Sequence, residues 1–232
     1  MEIKMTDTQQ KIQKDKNNPK DVQYSPLRLV GILTLIAFCT ILLIVATFTR
    51  IKVINVLQPI VGMLHPEIFT TMQSIFTIKA YFYVPQIPII LFTAALLGGA
   101  CTMTSVFVYI VIGLAFLPIF GLGGGFDYII QPTFGYILAF LPASLVAGAL
   151  IDKDHTLKSI LKAAFFAVLT IHILGFFYML LVSLLQHESL GYITDWLIFE
   201  SFTKAFYDFI IGFLLMILAK FFRKFIWIIT AT

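Results

Sequence analysis

The chain has 232 residues, of which 59% are hydrophobic and 12% are charged, and its mean hydropathy is +0.96. Soluble domains carry about a quarter charged residues, so this composition indicates a membrane protein embedded in the lipid bilayer and excludes a water-soluble one. The net charge of +4 fits basic residues gathered on one side of a bilayer better than a nucleic-acid footprint. Cys39 and Cys101 lie in apolar runs without the spacing of a disulfide scaffold or a zinc site.

The N-terminal part begins with a polar segment and leads into a first membrane span. Residues 1–28 are rich in Lys, Asp, Gln and Asn, which predicts a disordered cytoplasmic tail. Leu29–Thr49 gives 21 uncharged residues, about the length of a spanning helix. Residues 50–83 mix apolar residues with polar ones and prolines. They predict an extended extracytoplasmic loop or an amphipathic element at the interface, and not a span.

The remaining apolar runs predict five more spans. Ile87–Phe120 is uncharged over 34 residues, too long for one crossing, and Gly98 and Gly99 near its middle favour two spans joined by a tight turn. The later spans are predicted at Tyr128–Ile151, Ile160–Leu185 and Ile198–Ile217. The expected fold is therefore an all-α membrane protein with six transmembrane helices within residues 29–225.

Charge distribution supports a six-span topology with both termini in the cytoplasm. The tail, the loop after the fourth span and the C-terminal end together hold twelve of the Lys and Arg residues, against three on the opposite side. Cytoplasmic loops carry this excess of positive charge. A five-span arrangement would place the C-terminal basic cluster outside, which the same rule disfavours.

Small residues line one face of the fourth predicted span. They recur at every fourth position, which lets another helix backbone approach closely. The residues are Gly135, Ala139, Ala143 and Ala147. Internal helix packing is the expected role, and a docking face for a partner membrane protein is the alternative.

Lys204 stands inside the sixth predicted span, with Glu200 and Asp208 four residues to either side on the same face. A lysine within a span costs roughly 2.5–3.5 kcal/mol on insertion scales, so it is a functional candidate by default. Either the three residues form a self-satisfied ladder, or Lys204 faces a cavity and pairs with a substrate carboxylate. His172 in the fifth span is expected to be a hydrogen-bonded core residue.

The sequence contains none of the motifs that would indicate catalysis. It has no Ser/His/Asp set, no HExxH and no phosphate-binding GxxxxGK[ST]. We therefore expect no enzymatic activity, no cofactor and no metal. Any energy that the protein uses is expected to come from a partner or a gradient.

Two segments, 84–100 and 108–150, resemble the BioY family, the biotin-specific S components of energy-coupling factor (ECF) transporters. The family pattern has a Pro-x-x-Pro segment, a Gly-Leu-Pro-Val-Phe-like corner, a glycine run, a Gly-Pro-Thr-Gly-Gly-Tyr helix start and a Gly-Phe-Pro-like continuation of that helix. This chain shows these features in the same order at Pro85, Leu117, Gly121, Pro132 and Pro142. Residues 1–28 and 50–83 lie outside the resemblance.

The last span resembles the family pattern Pro-Gly-Asp-x-x-Lys-Ala more loosely. Lys204 and Ala205 are kept, Ser201 stands at the aspartate position, and Glu200 precedes it. Gln131 and Phe134 replace two of the three glycines around Pro132 and Thr133.

The resemblance implies a substrate-binding membrane subunit for biotin, working with a transmembrane coupling subunit and ATP-binding subunits in a bacterial plasma membrane. We expect Lys204 to bind the carboxylate, with Ser201 and Glu200 beside it. The candidates for the polar ring or the lid are Thr133, Tyr136, Gln131 and Asp127. Two alternatives stay open: an S component for another carboxylated vitamin such as lipoate, and a non-transporting membrane scaffold subunit.

Overall fold

The computed structural model describes residues 26–54, 80–151, 155–197, 201 and 203–230. The predicted tail up to residue 25, most of segment 50–83 and Glu200 therefore lie outside the described residues. Residues 1–35 and 36–232 form two compact units. Every long-range contact reported below lies within the second unit.

The described chain is mostly helical. Helix α1 spans Pro26–Phe48, α2 spans Gln86–Leu97 and α3 spans Gly99–Ala115. After a 3₁₀ turn at Phe126–Ile130, the chain continues through α4 (Phe134–Leu150), α5 (Leu157–Leu185), α6 (Leu190–Trp196) and α7 (Lys204–Thr230).

Three of the described helices are long and apolar enough to cross a membrane. They contain Val30–Phe48, Leu157–Leu185 and Lys204–Arg223. Helices α2, α3 and α4 are also apolar but have only 10–17 residues each.

The predicted helix boundaries hold in most places, with two differences. The break within Ile87–Phe120 is confirmed, because Gly98 separates α2 from α3 with a φ of +91° that favours glycine. The fourth predicted span is wrong at its start: the 3₁₀ turn occupies its first residues, and α4 begins only at Phe134. Proline at position 132 cannot donate a backbone hydrogen bond, so the helix begins after it. The last helix also differs: α7 begins at Lys204 rather than at Ile198, so Lys204 opens this helix instead of lying inside it, and α7 continues beyond the predicted end at Ile217 to Thr230.

Two short strands lie on either side of segment 55–79 in the sequence. Hydropathy alone did not predict these strands. Strand β1 (Ile51–Ile54) pairs antiparallel with β2 (Ala80–Tyr83), so that Ile51 lies opposite Tyr83. The ladder fixes Tyr83 at the entrance to α2, where its side chain is fully buried.

Small residues bring the helices close together, as the sequence predicts. Ala139, Ala143 and Ala147 of α4 are buried in the core, which confirms internal packing of this face. At the crossing of α3 and α4, a Cβ added at Gly99 would lie 2.6 Å from the carbonyl oxygen of Ser144. The two backbones are therefore in direct contact, and glycine is required there.

The Gly99 contact generates a stability prediction. Gly99→Ala should lower the free energy of unfolding by about 1–3 kcal/mol, because the added methyl meets backbone that cannot rotate away. The measurement is the apparent melting temperature of the purified protein in detergent.

Gly31→Ala in α1 is the matched control, because a Cβ at Gly31 meets nothing within 4 Å. Alanine favours helix more than glycine does, so this variant should melt at the same temperature or higher. If Gly99→Ala and Gly31→Ala have the same apparent melting temperature, the close crossing of α3 and α4 is contradicted.

Candidate functional site

A cavity of about 330 Å³ opens between the helices of the second unit. This volume falls in the range of roughly 300–1,000 Å³ that is usual for small-molecule sites. Its walls are largely apolar or aromatic, with a few polar side chains among them. The described lining residues are Thr47, Val84, Gln86, Ile87, Gly121, Leu122, Tyr128, Thr133, Tyr136, Ile137, Phe140, His172, Trp196 and Lys204.

Lys204 is the first residue of α7, and its half-buried side chain lines the cavity. Asp208 follows it by one helical turn, about 6 Å further along the axis. The cation at the cavity wall is therefore close to a carboxylate deeper in the bundle.

Asp208 is fully buried, and each of its carboxylate oxygens has a partner on another element. The Tyr83 hydroxyl donates to Oδ1 at 2.5 Å, and Nε2 of His172 lies 3.1 Å from Oδ2. Because a buried carboxylate needs hydrogen bonds to offset its desolvation, this arrangement ties β2, α5 and α7 together. A ladder confined to α7 does not account for these partners.

Tyr136 reaches the cavity because two glycines make room for paired tyrosines. A Cβ at Gly175 of α5 would collide with the Tyr136 ring, and a Cβ at Gly135 of α4 would collide with Tyr178. The Tyr136 hydroxyl forms a hydrogen bond with the hydroxyl of Ser201, which is 5% exposed. Ser201 therefore holds the Tyr136 hydroxyl in place through this hydrogen bond.

A second polar group lines the cavity through Thr47 and Gln86. The Gln86 amide donates to Thr47 Oγ1 at 2.7 Å and to the Tyr109 hydroxyl at 3.1 Å, and Thr47 and Tyr109 are 3.0 Å apart. The three side chains come from α1, α2 and α3. Mutual hydrogen bonds of this kind hold Thr47 and Gln86 in place at the cavity wall.

The glycine run after α3 forms a compact turn that contributes Gly121 and Leu122 to the cavity. Gly125 donates its backbone N–H to the Gly113 carbonyl at 2.8 Å, and its φ of +90° favours glycine. A Cβ at Gly124 would lie 2.7 Å from Gly113 O, so this turn packs directly on the end of α3. Beyond it, Thr133 donates to the Tyr128 hydroxyl at 3.2 Å, and both residues line the cavity.

The structure brings together some of the predicted site residues and separates others. Lys204, Thr133 and Tyr136 line the cavity, and Ser201 lies behind Tyr136. Gln131 and Asp127 are exposed and do not belong to the described lining. Glu200 lies outside the described residues.

Sequence reasoning missed several lining residues for identifiable reasons. Thr47 was absorbed into the first predicted span as an ordinary span residue. Gln86 stands just before the predicted start at Ile87, and Trp196 stands in the loop predicted before Ile198, so neither was considered as a lining residue. His172 was expected to be a hydrogen-bonded core residue. It is buried and contacts Asp208, and it also lines the cavity.

Comparison with known proteins places the chain in a family. The sequence profile of the BioY family matches residues 68–229, more than two thirds of the chain. The chain belongs to the BioY family. The match begins at residue 68, so the end of segment 50–83 is part of the BioY region, and its exclusion from the resemblance was wrong.

Two relatives share parts of this BioY region. The "Probable biotin transporter BioY" of Lysinibacillus sphaericus is 48% identical over 68 residues, which cover 29% of this chain and 35% of that protein. The protein of the same name from Pyrococcus horikoshii is 30% identical over 95 residues, or 40% of this chain and 56% of that protein. The aligned segments thus span about a third and just over half of these relatives.

A solved structure shares the fold. The crystal structure of the S-component for biotin from an ECF-type ABC transporter superposes with a TM-score of 0.61. The superposition covers 86% of this chain and 94% of that one at 19% identity. BioY membership and this fold identify a membrane protein built from apolar helices.

The Asp208 contacts generate a second stability prediction. Asp208→Ala should lower the free energy of unfolding by about 1–3 kcal/mol, because the Tyr83 hydroxyl and His172 Nε2 lose a shared buried acceptor. Thermal melting of ligand-free protein in detergent measures the effect.

Asp127→Ala is the control, since this carboxylate is exposed in the 3₁₀ turn. It should change the melting temperature little, because substitutions of exposed residues usually stay within about 0.5 kcal/mol. An unchanged melting temperature for Asp208→Ala would mean that the three elements do not depend on this carboxylate.

Proposed function

We propose that this chain is the substrate-binding membrane subunit of a biotin uptake transporter, with the vitamin held in the cavity beside Lys204. The observation that carries the proposal is the position of a lysine, within an apolar helix bundle of the BioY family, on the wall of a ligand-sized cavity. A charged side chain among apolar membrane helices is costly unless it pairs with a partner or a ligand.

The cavity chemistry suits an amphipathic acid. Biotin combines a polar ureido ring, an aliphatic tail and a carboxylate. Ile87, Ile137 and Phe140 supply apolar walls for the tail, whereas Lys204 supplies a cation for the carboxylate. Ligand pockets commonly combine such walls with a few placed polar groups.

The proposed topology has six membrane helices, α1 to α5 and α7, with both termini in the cytoplasm. Contacts at one end of the bundle support it: Lys220 Nζ donates to the His155 carbonyl at 2.8 Å, and Arg223 lies 3.3 Å from His155 Nε2. The loop after α4 and the C-terminal part of α7 thus meet at one end, where basic residues concentrate. The positive-inside rule assigns that end to the cytoplasm.

The proposed partners follow from BioY membership and from the likeness to an S-component of an ECF-type ABC transporter. A transmembrane coupling subunit and ATP-binding subunits of an ECF transporter would supply the energy. The proposed location is the plasma membrane of a bacterium.

Binding of biotin to the purified protein tests the proposal. Isothermal titration should give saturable binding at or below micromolar biotin, and Lys204→Met should weaken it at least about tenfold. A charge-assisted hydrogen bond contributes about 1.5–3 kcal/mol, which corresponds to this factor. Absence of biotin binding would contradict the proposal, and stronger binding of lipoate in competition would reassign the ligand.

Two controls separate binding from folding. Lys158→Met changes an exposed lysine near the start of α5 and should leave biotin affinity unchanged. Biotin amide, which lacks the acid, should bind wild-type protein weakly and should distinguish little between wild type and Lys204→Met. A scaffold role instead predicts that Lys204→Met fails to express while biotin does not bind the wild type.

Uptake in cells provides a separate prediction. Co-expression with an ECF coupling subunit and its ATP-binding subunits in a biotin auxotroph should lower the external biotin needed for growth. Lys204→Met should raise that requirement again at equal protein level. If the external biotin needed for growth is the same with and without the chain and its ATP-binding partners, the uptake role is contradicted.

A further inference from the structure

One exposed face of α5 changes from basic to aromatic within two helical turns. Lys158, Lys162 and Phe165 follow each other at spacings of four and three residues, which places them on the same face of the helix. All three side chains are exposed. Because α5 is long and apolar enough to cross a membrane, this face meets lipid, and the long lysine side chains extend toward the membrane surface.

The neighbouring face of α7 has the same arrangement. Phe209 contacts the Phe165 ring edge to face, with 6.2 Å between the ring centroids, and it stacks on Phe213 at 6.5 Å. Lys220 follows Phe213 by seven residues, about 10 Å, on the same side of the helix. Phe165 lies equally far along α5 from Lys158. The two helices therefore share one surface, aromatic in the middle and basic at one end, which we call the α5–α7 surface.

The basic end of the α5–α7 surface also includes Arg223. Lys220 Nζ donates to the His155 carbonyl at 2.8 Å, and a guanidinium nitrogen of Arg223 lies 3.3 Å from His155 Nε2. These contacts hold both cations beside the start of α5. Among the described residues, no Asp or Glu forms an ion pair with Lys158, Lys162, Lys220 or Arg223. The positive charges at this end are therefore available to an anion.

Charge counting along the sequence shows the same excess. Segments 152–162 and 220–224 hold six Lys or Arg residues and two Asp residues. The N-terminus of α5 adds the positive end of its helix dipole at this place. Positive charge at a membrane surface attracts anionic lipids, and basic pockets between membrane helices bind their head groups. The charge of this end thus matches a lipid phosphate, and the aromatic middle matches an acyl chain.

We infer that the α5–α7 surface binds one anionic phospholipid, with its phosphate at the basic end and an acyl chain along the phenylalanines. A lipid fits this surface because charge and aromatic rings are separated along the helix axes, as head group and hydrocarbon are separated across a leaflet. The inference requires only that α5 and α7 cross the bilayer, and it does not depend on biotin binding.

Intact-protein mass spectrometry of the purified protein in detergent counts bound lipids and tests the inference. The probes are phosphatidylglycerol, which is anionic, and phosphatidylcholine, which has no net charge. Wild type should bind one phosphatidylglycerol molecule at least about tenfold more tightly than phosphatidylcholine, because each cation near an anionic head group contributes a factor of about five. Equal affinity for the two lipids would overturn the inference, and this comparison needs no variant.

Two variants locate the bound lipid. Lys162→Met and Arg223→Met each remove one cation, from α5 and α7 respectively, and each should weaken phosphatidylglycerol binding about fivefold. Both side chains are exposed, so the apparent melting temperature in detergent should change little.

Lys52→Met is the matched control, because Lys52 is an exposed lysine far from the basic end of the α5–α7 surface. It lies in β1, whose partner strand β2 leads into the start of α2. His155, at the basic end, contacts the carbonyl of Ala95 near the other end of α2. The Lys52→Met variant should bind phosphatidylglycerol as wild type does.

Three outcomes would assign the surface differently and overturn the inference. If Lys52→Met weakens binding as much as Lys162→Met, the lipid responds to the overall charge of the protein. If inorganic phosphate displaces phosphatidylglycerol at equal concentration, no acyl chain is held on the aromatic stripe. If Lys162→Met and Arg223→Met bind phosphatidylglycerol normally but lose the ECF coupling subunit in co-purification, the surface belongs to that subunit. Wild type that binds phosphatidylglycerol but not biotin would leave this inference intact and contradict the proposed function.

Discussion

The buried carboxylate of Asp208 is the constraint around which one wall of the cavity is built. Removing a carboxylate from water costs several kcal/mol even after relaxation, so it needs donors held at fixed distances. Tyr83 and His172 supply them from β2 and α5. The short β1–β2 ladder fixes Tyr83, and it thereby helps to determine where α7 and Lys204 lie. The polar contact thus links a segment outside the helix bundle to the cavity wall.

Close helix packing fixes the rest of that wall. Gly175 and Gly135 leave space for Tyr136 and Tyr178, which cross between α4 and α5. Without a hydrophobic driving force between helices in lipid, such fit and a few hydrogen bonds hold a bundle together. Tyr136 is then fixed at both ends, by Gly175 at its ring and by Ser201 at its hydroxyl.

Hydropathy and glycine placement were enough to predict the main helices and the break at Gly98, because both signals are local. The strands at 51–54 and 80–83 were missed, because four residues are too few to show the alternation of apolar and polar residues that indicates a strand. Asp208 could be paired from sequence only with Lys204, four residues away on the same helix. Its partners Tyr83 and His172 are 125 and 36 residues distant, and only the tertiary fold brings them together. Gln131 and Asp127 were chosen as polar residues near a predicted pocket, but the 3₁₀ turn leaves them in an exposed position.

The buried aspartate of the last helix stands at a different position from the aspartate of the BioY pattern. Where that pattern has an aspartate, this chain has Ser201, and its hydroxyl is engaged by Tyr136. A carboxylate is present instead at Asp208, fully buried, and it reaches the cavity through His172. The imidazole of His172 thus stands between the cavity and the buried carboxylate, which keeps its own partners.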